Sequence, residues 1–140
     1  GVTSQKAYVV SDTTVNFNLK RGSAYCFKMT VVNGNAMTPS FTVGNGEVLK
    51  TQFVAKIGND YYYRVYATGT PGQSTGVYTT LPGNAPVKHC AVTMRRSFRR
   101  TSYVEHKTNQ SRFASVVAAV GAKDAARPRK TLNVPSSIAR

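Results

Sequence analysis

The sequence predicts an all-β fold over residues 1–94, a small antiparallel sandwich or barrel, followed by a basic extension with one short helix over residues 95–140. Three observations carry this reading. Turn residues recur at roughly ten-residue spacing through the first part of the chain, as in small antiparallel β-domains. β-branched and aromatic residues fill the intervals, as expected where a pleated, half-buried surface must be packed. Beyond Met94 the strand alternation stops and arginines cluster.

Each element has its own signal. Val15–Leu19 alternates and meets a turn at Arg21-Gly22; Ala24–Val32 follows and ends at Asn33-Gly34-Asn35. A short Ser40–Val43 precedes the Gly44-Asn45-Gly46 turn. Val48–Lys56 then runs into Gly58-Asn59-Asp60, which opens on Tyr61–Ala67. That junction is a hairpin signal, because Gly and Asn tolerate the positive φ of tight two-residue turns. Loops are expected at Gly69–Gln73 and Pro82–Pro86, and the last strand is Val87–Met94.

The period of two assigns faces. Tyr25, Phe27, Met29 and Val31 share the core face of their strand, opposite Cys26, Lys28 and Thr30. Cys90, Val92 and Met94 face inward, opposite His89, Ala91 and Thr93. A disulfide needs converging Cβ vectors, so Cys26 outside and Cys90 inside favour two thiols. Tyr61, Tyr63, Val65 and Ala67 point inward. Tyr62, Arg64 and Tyr66 point outward, because Arg64 is expected to seek water.

In Ser111–Arg127 the residues Phe113, Val116, Val117 and Val120 fall at i, i+3, i+4 and i+7, the stripe of an amphipathic helix. Pro128 ends it. Gly121 weakens its middle by roughly 1 kcal/mol relative to alanine. The stripe can dock on the β-domain, dock on a partner, or form only on binding. Residues 128–140 read as an extended tail.

Charge separates the two segments further. The chain carries 19 Lys+Arg against 5 Asp+Glu, a formal +14. Residues 1–93 hold eight basic and three acidic residues, and residues 94–140 hold eleven and two, so the net charges are +5 and +9. No apolar run approaches the about 18 residues of a membrane-crossing helix. The start at Gly1, without methionine, suggests a processed product or a piece of a longer protein.

Candidates for chemistry are few. Asp12, Glu47, Asp60, Glu105 and Asp124 form no evident pair, and His89 and His106 are the only imidazoles. No Cys/His spacing fits zinc, and no glycine-rich loop precedes a helix to cradle phosphate. No catalytic residue, metal site or cofactor is therefore expected. Two binding candidates remain. The outward Tyr62, Arg64 and Tyr66 could stack on sugar rings, serve as a protein contact, or simply cover their neighbours. Arg95, Arg96, Arg99 and Arg100, flanking Phe98, could grip a polyanion or nucleic acid or form a solvated charge run. Asn109-Gln110-Ser111 matches an N-glycosylation sequon.

Four stretches carry a resemblance: SDTT at 11–14, GSAYCFKMTVV at 22–32, FTVGNGEVLKTQFVAKIGNDYYYRVYATGTPGQSTGVYTT at 41–80, and KHCAVT at 88–93. Together they are similar to small all-β modules at the C-terminal end of modular extracellular proteins of clostridia and related Firmicutes. Many of those proteins carry a peptidoglycan hydrolase in their N-terminal part. The resemblance spans about residues 11–93 and implies an Ig-like β-sandwich, extracellular or cell-surface, without catalysis. The arginine-rich extension departs from that pattern.

Two functions follow as expectations. The first is a non-catalytic accessory module of the cell surface or cell wall. It would bind polysaccharide or position a neighbouring catalytic domain in a longer parent chain. The second is a nucleic-acid- or polyanion-binding protein acting through the basic C-terminal segment.

Overall fold

A computed structural model describes residues 6–34, 37–96 and 103–123. Eight strands and one helix follow in chain order: β1 (Tyr8–Ser11), β2 (Phe17–Lys20), β3 (Ala24–Val32), β4 (Ser40–Val43), β5 (Leu49–Ile57), β6 (Asp60–Ala67), β7 (Ser74–Thr80), β8 (Val87–Arg95) and α1 (Tyr103–Lys123). They form two four-stranded sheets, β1-β3-β6-β5 and β2-β8-β7-β4. All pairings are antiparallel except β2 with β8, which is parallel. The first strand region thus divides between the sheets, β1 on one and β2 on the other. With strands three, six and five completing one sheet and eight, seven and four the other, this is the Ig-like β-sandwich that the resemblance implies.

The pleat reading holds where it can be checked. Phe27, Met29, Val31, Tyr61, Tyr63, Val65, Ala67, Cys90, Val92 and Met94 all belong to the buried cluster between the sheets. Phe41 stacks on Tyr63 at 4.4 Å between ring centroids, nearly parallel, and Tyr25 meets Phe27 edge-on at 5.0 Å. Offset and edge-on rings of this kind contribute about 0.5–1.5 kcal/mol beyond the area they bury. The expected hairpin forms: β5 and β6 are joined by Gly58-Asn59, with Gly58 at φ 64°.

Two strands, β1 and β7, carry no separate signal in the sequence reading, and several boundaries move by a residue or two. β5 also holds an irregularity. Its register against β6 shifts between Phe53 and Ala55. Such a bulge breaks strict alternation. Phe53 belongs to one side of it and stays half-exposed, while Val54 and Ala55 are both buried.

The helix begins at Tyr103, earlier than the Ser111 that the apolar stripe marks, and its expected end at 124–127 lies outside the described residues. It docks on the outer face of the β1-β3-β6-β5 sheet. Val116 joins Val54 and Ala55 in a second small buried cluster, flanked by Ile57, Tyr62, Phe113 and Val120. Of the three fates open to the stripe, docking on the β-domain is the one observed.

Candidate functional site

The helix lies over the residues that the pleat marks as an outward binding row. Arg64 keeps only 7% of its surface and Tyr66 only 6%, while Tyr62 is half-buried. The direction of the row was legible; its access to water was not. Arg64 does not reach solvent, because α1 supplies a different surrounding for it. The guanidinium carbon sits 4.0 Å from the centroid of the Phe113 ring and 5.3 Å from that of Tyr66. Cation–π contacts of this kind favour arginine, whose flat group stacks on rings. They do not satisfy its donors, and Nη1 is buried without a hydrogen-bond partner. The Tyr66 hydroxyl donates to Gln52 Oε1. Burial raises the pKa of Tyr66 and, together with Asp60, that of Tyr62.

A second contact fixes the helix to the sheet. β1 pairs with β3 only as far as Met29, so β3 presents an open edge towards its own start. Asp12 takes up the ladder first: its amide donates to Lys28 O at 3.1 Å and its Oδ1 accepts from Lys28 N at 3.1 Å. Asn109 takes up the next position. The Cys26 N–H donates to Asn109 Oδ1 at 2.6 Å, and Asn109 Nδ2 donates to the Cys26 carbonyl at 2.9 Å. A primary amide has the same donor–acceptor pair as a peptide group, so it completes a strand edge as another strand would. Arg112 spans the remainder, donating to Cys26 O at 3.2 Å and pairing with the Asp12 carboxylate.

This arrangement revises two readings. The glycosylation sequon is not available, because Asn109 is buried and the nitrogen that would carry a glycan is bonded to Cys26. Cys26 does point to the outer side of its strand, yet only 1% of it is exposed because α1 covers it. Cys26 and Cys90 are both free thiols. Desolvation pushes Cys26 up to about 12 and Cys90 up to about 11, so neither thiol is activated as a nucleophile.

Of the basic cluster, Arg95 ends β8, half-buried, and Arg96 is exposed beside it; Arg99 and Arg100 lie outside the described residues. Arg95 pairs with Lys20 across the parallel β2–β8 ladder, and Arg21 N donates to Arg95 O at 3.4 Å. Nothing in the sequence reading linked these positions, which lie far apart in the chain.

Elsewhere His89 Nε2 lies 2.7 Å from Thr79 Oγ1, and burial lowers its pKa. Asp60 accepts from Thr30 Oγ1 at 2.6 Å and is engaged within its own sheet. Among the described residues no three His, Cys, Asp or Glu side chains gather to hold a metal ion. Among them, too, no helix is long and apolar enough to cross a membrane.

Comparison with known proteins adds the fold and little more. No protein-family model matches the sequence, and neither does any curated protein. Among solved structures, the chain is similar to domains 4 and 5 of the S-layer protein SbsC, with a TM-score of 0.52 at 19% identity over 63% of this chain and 51% of that one. It is similar also to domains 5-6 of the same protein, with a TM-score of 0.51 at 17% identity over 62% and 42%. The titin M3 domain aligns over 63% of this chain and 97% of its own length, at 15% identity and a TM-score of 0.41. The chain thus spans about half, or less, of the S-layer fragments it matches. What it shares with them is the fold: an Ig-like β-sandwich, here with a helix laid across one outer face.

Proposed function

We propose that this chain is a non-catalytic, extracellular module of the cell surface that holds a neighbouring domain in position. The observation that carries the reading is the fold itself. It is a compact Ig-like sandwich of the kind found in consecutive numbered domains of an S-layer protein. The resemblance of residues 11–93 to modules of clostridial and related extracellular proteins, many joined to a peptidoglycan hydrolase, points the same way. The interior supports a structural role: it is filled by apolar and aromatic side chains, and its tyrosine hydroxyls are bonded, Tyr61 to Met37 O and Tyr63 to Pro39 O. Tyr62 and Arg64 are engaged by α1 and Tyr66 is buried beside Arg64, which favours a spacer over a glycan binder.

Antibody raised against the purified chain tests the reading on cells of the source organism. Surface labelling of unpermeabilised cells is expected, and an immunoblot should show a band larger than the 15.2 kDa of this chain. Labelling that appears only after permeabilisation would overturn the surface assignment. A single band at the size of the chain would overturn the neighbour-positioning role.

A further inference from the structure

We propose that the end of the sandwich where β2 and β8 terminate is a binding site for a flexible phosphate chain, and that Lys20 and Arg21 belong to it as much as Arg95 and Arg96 do. Leu19 and Met94 both face the core, so by strand alternation Lys20 and Arg95 share the outer face of their sheet. Arg21 and Arg96 continue the two strands past its edge. Four cationic side chains, from positions separated by most of the domain, thereby stand at one end of one parallel pair. Lys20, Arg21 and Arg96 are exposed, and among the described residues none of them forms an ion pair. Among the described residues, the other loops at this end are 44–48 and 68–73, placed there by the bonds Thr68 N to Val48 O and Gly72 N to Met94 O. They carry one carboxylate, Glu47.

Such a cluster holds linear polyanions by neutralising successive charges and releasing their counterions. The choice of phosphate chain over nucleic acid rests on what is missing around it. Single-stranded nucleic acids are held by bases stacked on exposed rings as well as by charge. Among the described residues, the two loops at this end, 44–48 and 68–73, hold no aromatic residue. The exposed rings among the described residues lie elsewhere: Tyr8 pairs with Val32 at the opposite end of its sheet, and Phe53 sits within β5. A ligand read by charge alone suits this surface.

The test uses the full chain, inorganic polyphosphate as the probe, and binding measured across a salt series. Log Kd should be linear in log salt concentration, and Lys20→Ala/Arg21→Ala should reduce the magnitude of that slope by about 2, about 1 for each phosphate no longer neutralised. Lys6→Ala/Lys88→Ala removes the same charge from exposed positions at the other end, Lys88 being about 23 Å from Arg95 along β8. This control should leave the slope unchanged. All four side chains are exposed, so circular dichroism is expected to show the fold retained in both variants. An equal drop in slope for the two variants would overturn the site in favour of diffuse charge attraction. No drop in either, or no binding at low salt, would overturn it outright. Tighter binding of oligo-dT than of polyphosphate at equal charge would overturn the choice of ligand. None of these outcomes depends on where the protein resides, so failure here is distinguishable from failure of the surface-module reading.

Discussion

Replacing Asn109 with alanine should loosen α1 while leaving the sandwich folded. The amide makes two bonds to β3, but the two are not equivalent once it is gone. The Cys26 carbonyl keeps its bond from Arg112 at 3.2 Å, whereas the Cys26 N–H loses its acceptor at 2.6 Å. A buried donor left without a partner costs about 1–3 kcal/mol, and the undocked state escapes that cost because water reaches the strand edge. Taking about 2 kcal/mol, the ratio of docked to undocked helix falls by about 30-fold, at 1.4 kcal/mol per tenfold. The thiols provide the assay. Cys26 lies beneath α1 and Cys90 lies in the main core. Labelling of Cys26 under native conditions therefore reports helix release, and labelling of Cys90 reports global opening. The Asn109→Ala variant should label Cys26 about 30-fold faster with the Cys90 rate unchanged. Equal acceleration at both thiols would refute the reasoning, because the amide would then stabilise the whole domain rather than the dock. No acceleration at either would show that Arg112 and the apolar contacts suffice without it.

Other expectations follow from the same surface and from the core. Arg64→Met deletes a buried donor that has no partner while keeping a long stem against Phe113, so the urea midpoint should stay level or rise; Arg64→Ala should lower it by opening a cavity. His89 has its pKa lowered by burial from the ordinary 6.5. The unfolded state thus binds the proton more readily, and stability is full above about 6.5 and declines as pH falls towards the depressed folded value. Urea midpoints across that window should show the slope, and His89→Gln should flatten it. Gly69→Ala would bring a Cβ within 3.0 Å of the Val48 Cα and 3.1 Å of Met94 Cγ, so it should destabilise by about 1–3 kcal/mol in denaturant unfolding. An unchanged midpoint would mean that the β4–β5 loop gives way easily.

What was legible in the sequence follows the range of the physics involved. Pleat alternation is local, and it placed Phe27, Met29, Tyr61, Tyr63, Cys90 and Val92 in the core without any knowledge of partners. The Gly58-Asn59 turn was equally local. The helix stripe was visible through Phe113, Val116 and Val120, but its partner surface was not, since Val54 and Ala55 reach it together only through an irregularity in β5. Asn109 carried a misleading local signal: its tripeptide matches a sequon, whereas its role is set by a strand edge 83 positions away in the chain. The burial of Arg64 was illegible for a related reason. A charged side chain on an outer face is expected in water unless something covers it, and nothing near Arg64 in sequence announces the ring of Phe113. Lys20 and Arg21 joined the basic cluster only through the β2–β8 pairing.

That parallel pairing has a mechanical consequence. β2 enters at Phe17 opposite Val92, and β8 leaves at Arg95 opposite Lys20. A pull on the chain before β2, opposed by a pull on the chain after β8, draws the two strands along their length in opposite senses. The four paired positions then share the load in shear, rather than parting one after another as in an unzipping hairpin. Arg95 and Lys20 stand where that tension leaves the sheet, and stretching single molecules between attachment points placed just before β2 and just after β8 would register it as one abrupt rupture instead of a gradual yield.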